Sequence, residues 1–200
     1  MINLKSRYDF WIVEGGFGTG KTIFLVFIAT LLYKSYKKVY ANFNLINIPN
    51  FVYIPEYSAE IISNLEPESL VLISEAYHYI DRRECMKPKN IETSQALQQI
   101  RKDKYFLICD VSNARMVDFR FINVSTMIIK ANGDIENIFG LKNENLKFIY
   151  QFGQYNEIYD IIQYKNICLI DMKEASNNYK TEERIKKHKQ TQYHKLTEDY

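Results

Sequence analysis

Eight consecutive residues, Gly15, Gly16, Phe17, Gly18, Thr19, Gly20, Lys21 and Thr22, fit the pattern GxxxxGK[ST] without mismatch. Each residue type has a task in holding a chain of phosphates. The glycines let backbone N–H groups turn inward around a β-phosphate, the Lys21 ammonium neutralises β and γ oxygens, and the Thr22 hydroxyl can ligate Mg²⁺. The expected ligand is ATP with Mg²⁺, GTP being the other base that the loop admits. A glycine-rich turn that binds nothing is the bland alternative. The context opposes it, because an apolar strand pattern precedes the loop and a helical pattern follows.

Enzymes that hydrolyse a nucleotide on such a loop present one carboxylate to the metal shell and another to water, at the end of a neighbouring strand. Here that strand end reads Leu70-Val71-Leu72-Ile73-Ser74-Glu75. Glu75 is the expected general base, orienting water toward the γ-phosphate. Its bland reading is a glutamate favoured by a helix dipole. Ser74 stands where an Asp is usual: it can hold Mg²⁺ through a water but brings no charge. Thr22 and Ser74 are therefore the expected metal residues. Asp110, at the end of the next strand, compensates if that strand lies between the other two, and otherwise is a cap. Glu14, abutting the loop, is expected in solvent or paired with a base. His78 follows Glu75 by three residues and is assigned no role.

These residues need elements to position them. Residues 8–14 form a short apolar run ending at glycines, a buried strand. Residues 21–34 carry Ile23, Phe24, Phe27, Ile28, Leu31 and Leu32 at helical spacing. Further strands are expected at 38–41, 70–73, 105–109 and 126–129. Pro49 and Pro55 mark an irregular connection, 57–65 a short helix, and Thr93 caps a helix with Ala96, Leu97 and Ile100 on one face. The alternation implies a three-layer α/β fold on a mainly parallel sheet. Beyond Gly133, residues 135–171 alternate short apolar stretches with Asn, Gly and Gln turns, which reads as antiparallel hairpins on the sheet edge. One domain is expected over residues 1–176, with its core at about 8–131 and a β-hairpin extension at about 135–172. Residues 177–200 are highly charged and form a tail or exposed helix.

Composition narrows the classes. With 26 basic and 24 acidic side chains the formal charge is +2, so no global field draws the chain onto nucleic acid or anionic lipid. Any DNA contact must come from a local patch. Cys85, Cys109 and Cys168 lack CxxC spacing, and two of them lie in apolar runs that read as buried strands. That argues against a disulfide framework or zinc site. The apolar run at 23–33 has about half the residues that a membrane span needs. A soluble, cytoplasmic protein without an integral membrane segment is expected, in the host cytoplasm if the source is viral.

In order, residues 15–22, then 70–75 with Ala76, then Gln98-Gln99-Ile100-Arg101-Lys102 leading into residues 105–113, resemble the FtsK/HerA group of additional-strand P-loop ATPases. Its small viral members package genomes, and Zot-like assembly proteins of filamentous phages are near relatives. The resemblance covers about residues 8–131. It implies a RecA/FtsK-like sheet ordered 5-1-4-3-2, ATP hydrolysis and a hexameric ring. It also implies that Arg101 is an arginine finger reaching a neighbour's γ-phosphate, with Arg82, Arg83, Arg115 and Arg120 as rivals. The polar sensor falls on Ser112 or Asn113, in place of the family's usual Gln, and Asn113 is taken with Lys21, Glu75 and Arg101 as catalytic.

The reading that follows is an ATP-driven translocase of double-stranded DNA, a viral genome-packaging ATPase working with capsid or virion proteins. Lys87, Lys89, Lys102, Lys104 and the run Lys186, Lys187, His188 and Lys189 are candidates for backbone contact. For each, a solvated surface is the bland reading. A Zot-like virion-assembly or secretion ATPase is a second possibility. A small-molecule (nucleotide) kinase, with Arg82-Arg83 as lid, is a third, and a P-loop module that only switches is a fourth.

Overall fold

The computed structural model describes residues 8–80, 91–92, 102, 104–140, 146–158 and 160–179. The run from Ala96 to Arg101, residues 81–90 and everything beyond 179 lie outside them. In chain order the elements are β1 (Phe10–Glu14), α1 (Lys21–Leu32), β2 (Val39–Ala41), β3 (Phe51–Tyr53), α2 (Ala59–Ser63), β4 (Leu70–Ile73) and α3 (Tyr77–Ile80). There follow β5 (Phe106–Val111), α4 (Phe119–Val124), β6 (Met127–Asp134), α5 (Ile135–Phe139), β7 (Lys147–Asn156), β8 (Ile161–Asp171) and α6 (Lys173–Ser176).

Among the described residues the eight strands join one sheet in the order β3-β2-β4-β5-β1-β6-β7-β8. The pairings from β3 through β6 are parallel, and β6-β7-β8 are antiparallel. The sheet separates two apolar clusters. Trp11, Val13, Leu70, Leu72, Phe106 and Ile108 point into one, while Phe10, Ile12, Val71, Ile73, Leu107 and Cys109 point into the other. Alternation across a sheet covered on both faces is why these strands are continuous apolar runs. On the first face α1 buries Phe24, Leu25, Val26, Ile28, Ala29 and Leu32, and Ala175 of α6 joins the same cluster. On the second, α4 contributes Phe121 and Ile122. Each fully buried Leu, Ile or Phe contributes about 1.5–3 kcal/mol, so helices on both faces hold the sheet.

Several elements differ from their sequence reading. The stretch between Pro49 and Pro55 is not irregular throughout: Phe51–Tyr53 pairs in parallel with β2. β5 runs on to Val111, so Asp110 sits inside a strand. β6 extends to Asp134, past the residues where turn composition begins, because β7 pairs with that end. α1 ends at Leu32 and passes into a tight turn at Tyr33–Ser35. Cys109 is buried, and burial pushes its thiol well above the usual range. Cys168 is exposed on β8, contrary to its reading as buried. Among the described residues no helix is long and apolar enough to cross a membrane.

Candidate nucleotide site

β1 runs parallel between β5 and β6 and delivers the chain at its C-terminal end to the glycine loop. Two glycines there are required by geometry. A Cβ on Gly15 would meet the Ala131 carbonyl oxygen at 2.7 Å. Gly20, with φ 92°, is the N-cap of α1; a Cβ on it would lie 2.5 Å from Cδ1 of Phe148. Gly16, Phe17 and Gly18 are exposed, and Thr19 is half-buried and donates to the Gly16 carbonyl at 2.9 Å. Lys21 Nζ also donates to that carbonyl, at 2.7 Å, and lies 6.0 Å from the centroid of the exposed Phe17 ring. The lysine is thus folded over the loop from which an incoming anion would draw it.

Thr22, in the first turn of α1, faces the ends of β4 and β5. Its Oγ1 is 3.3 Å from Ser74 Oγ and donates to Asp110 Oδ2 at 3.2 Å. Ser74 Oγ donates to the same carboxylate oxygen at 2.8 Å. Ser74 and Asp110 are each 1% exposed, so two hydroxyls and a carboxylate meet in a shielded position. They are hard oxygen donors, the type that Mg²⁺ takes alongside nucleotide phosphates. β5, which carries Asp110, lies between β4 and β1.

Glu75 follows directly, in the left-handed region at φ 57°. A non-glycine residue there costs about 1–3 kcal/mol and persists where its surroundings impose it. Asp110 imposes it: Oδ1 accepts from the Glu75 N–H at 2.9 Å and its backbone carbonyl from the Ala76 N–H at 2.9 Å. Glu75 therefore precedes α3 in a turn, and the i, i+3 relation to His78 is not one of a continuous helix.

Asn113 is exposed and uses Oδ1 to accept from the Arg115 N–H at 2.9 Å; Ser112 beside it is exposed. The next residue, Ala114, donates its N–H at 2.8 Å to Glu14 Oε2, and Tyr164 donates its hydroxyl to Glu14 Oε1. Glu14 is therefore a half-buried acceptor for an amide and a phenol. Burial and the adjacent carboxylate push the Tyr164 hydroxyl far above the usual phenol range, so it stays a donor. Of the arginines, Arg101, Arg82 and Arg83 lie outside the described residues, and Arg115 is exposed. Arg120 is forked onto the fully buried Asp118, with Nε 3.0 Å from Oδ1, which ties it within its own chain. Lys102 is exposed, while Lys104 pairs with Glu68 at 3.4 Å. Lys87, Lys89 and the run at 186–189 lie outside the described residues.

Three contributors escape sequence reasoning. Asn42, just past β2, clasps Ser74 twice, accepting its N–H at 2.8 Å and donating to its carbonyl at 2.8 Å. A polar residue at the C-terminal end of a parallel strand is the signal that marks it. Tyr150 donates to the Gly20 carbonyl at 2.8 Å, and Tyr164 holds Glu14; neither carries a local signal.

Known structures share this fold. The N-terminal domain of zonular occludens toxin from Neisseria meningitidis matches with a TM-score of 0.59 at 15% identity, covering 86% of this chain and 98% of that one. B204, the DNA-packaging ATPase from Sulfolobus Turreted Icosahedral Virus, matches at 0.52 and 13% identity, covering 80% and 98%. The genome packaging NTPase B204 from Sulfolobus turreted icosahedral virus 2 in complex with AMPPCP matches at 0.51 and 13%, covering 79% and 97%. At such identities the likeness is one of fold. No protein-family model and no curated protein matches the sequence.

Proposed function

We propose that this chain is an Mg²⁺-dependent P-loop ATPase of the FtsK/HerA type that moves double-stranded DNA, a viral genome-packaging motor working as an oligomeric ring. The observation that carries the reading is the meeting of Thr22, Ser74 and Asp110 within 3.3 Å at the mouth of the glycine loop, with Glu75 next in the chain. Fold and strand arrangement support it: the inner run β6-β1-β5-β4-β2 corresponds to the 5-1-4-3-2 order that the sequence resemblance implies. The likeness to a packaging ATPase supports the DNA substrate.

In this scheme residues 15–22 wrap the phosphates, and Lys21 leaves the Gly16 carbonyl for the β and γ oxygens. Thr22 and Ser74 hold the metal, which when bound screens phosphate charge. Glu75, fixed in its turn by Asp110, orients water for in-line attack. Ser112 or Asn113 senses the γ-phosphate, and Arg101 acts in trans as the finger of a hexamer. Residues 1–176 serve as one ATPase domain, with 177–200 a charged appendage, in the host cytoplasm and in contact with virion proteins.

Purified protein should hydrolyse ATP faster with double-stranded DNA, lose activity in Lys21→Ala, and form a nucleotide-dependent hexamer on size measurement. Hydrolysis indifferent to DNA would count heavily against a DNA motor. A second reading, a Zot-like virion-assembly ATPase, is favoured by the match to a zonular occludens toxin domain at TM-score 0.59. Co-purification with membranes or a coat protein would move the assignment there.

A further inference from the structure

We propose that the carboxylate of the metal shell in this site is Asp110, inside β5, rather than a residue at the end of β4. The inference rests on the P-loop reading above and adds a metal-binding role to a residue that the reading uses only to position Glu75.

Strand β4 ends in Ser74, which is neutral. Two hydroxyls without a carboxylate make a poor Mg²⁺ shell, since Mg²⁺ at nucleotide phosphates is held by one or two carboxylates together with the phosphates and water. β5 lies between β4 and β1, and its register places Ile73 opposite Cys109 and Val13 opposite Asp110. Asp110 therefore sits level with the end of β1, where the loop begins. Its Oδ2 accepts both hydroxyls expected at the metal, Thr22 at 3.2 Å and Ser74 at 2.8 Å. Its Oδ1 holds the Glu75 N–H at 2.9 Å.

Burial sharpens the point. An aspartate 1% exposed as the penultimate residue of an otherwise apolar strand is costly unless charge and hydrogen bonds compensate. A cation held here would be taken by a carboxylate oxygen that already gathers the Thr22 and Ser74 hydroxyls, which would supply the charge that Ser74 lacks. The same residue sets the backbone of Glu75, so the metal-side charge and the orientation of the base are linked through one side chain.

The test is calorimetry of ATPγS on the full chain in EDTA and across a Mg²⁺ titration, for wild type and Asp110→Asn. Wild type should bind in EDTA and tighten with Mg²⁺. In Asp110→Asn the tightening by Mg²⁺, read as the ratio of that variant's own affinities with the metal and in EDTA, should fall at least about tenfold below the wild-type ratio, equivalent to about 1.4 kcal/mol. The exchange variant Ser74→Asp/Asp110→Ser, which keeps one carboxylate and one hydroxyl at the contact, should restore that tightening. If Asp110→Asn melts lower yet keeps the wild-type Mg²⁺ effect, Asp110 is structural and the proposal fails. If wild type binds no nucleotide with or without Mg²⁺, the P-loop reading itself fails and takes the proposal with it. Should Asp110→Asn not fold, Mn²⁺ with ADP on wild-type protein labelled with ¹³C at aspartate carboxyls decides by electron–nuclear double resonance. A ¹³C coupling supports the assignment, and its absence overturns it.

Discussion

Tyr164 on the outermost strand β8 donates its hydroxyl to Glu14, the last residue of β1, 150 positions earlier in the chain. The same carboxylate accepts the Ala114 N–H from the loop after β5. One side chain thus ties the entrance of the glycine loop to the Ser112–Asn113 loop and to the antiparallel hairpin. Hydrogen bonds to a charged acceptor contribute about 1.5–3 kcal/mol when shielded, and partial exposure here lowers that. Tyr164→Phe should cost about 1–2 kcal/mol in urea unfolding at unchanged m-value. A cycle with Glu14→Gln should give a coupling energy clearly different from zero, and strict additivity of the two losses would show that the contact contributes nothing.

Glu75 offers a separation of binding from chemistry. If it primes water, Glu75→Gln keeps the backbone N–H that Asp110 Oδ1 accepts and removes only the base. Nucleotide affinity should stay within about threefold, while hydrolysis drops by about 10²–10⁴, the usual range for a lost general base. Single-turnover hydrolysis under saturating nucleotide measures this directly, and near-normal turnover would assign the base elsewhere.

How much of this was readable beforehand depends on where the determining contacts lie. The glycine loop and strands such as Leu70–Ile73 are legible because local sequence alone dictates them: glycine spacing, or apolar runs covered on both faces. β3 was hidden because Phe51 and Val52 are only partly buried, Tyr53 is exposed, and prolines flank the three. Its strand character comes from pairing with β2. The roles of Asn42, Tyr150 and Tyr164 rest on contacts made far along the chain, which no local periodicity encodes. Asp110 was recognisable as an option, and only the position of β5 between β4 and β1 brings it to Thr22.

Gly20 couples loop and hairpin sterically. Its φ of 92° and the 2.5 Å approach of a hypothetical Cβ to Phe148 add two penalties, about 1–2 kcal/mol for the left-handed backbone and about 1–3 kcal/mol for overpacking. Gly20→Ala should therefore lose about 2–5 kcal/mol of stability in chemical denaturation. Adding Phe148→Ala should recover only part of it, since the backbone penalty remains. Full recovery in the double variant would mean that the clash is the whole effect.

Alkaline pH tests the hairpin's hold on the loop. Tyr150 is fully buried, and burial pushes its hydroxyl far above the ordinary phenol value of 10.0. A raised folded-state value means that the stabilising protonated form is fully present below about pH 10 and is lost as pH rises toward the folded value. Above about pH 10 the unfolded chain releases a proton that the folded chain keeps, so stability falls by about 1.4 kcal/mol per pH unit for this group. Tyr150→Phe forfeits the bond to the Gly20 carbonyl, about 0.5–1.5 kcal/mol at pH 7. In exchange its stability should decline less steeply between pH 10 and 11.5 than that of wild type. Urea titrations at four pH values across that window give both slopes, and parallel slopes would show that Tyr150 ionises normally in the folded protein.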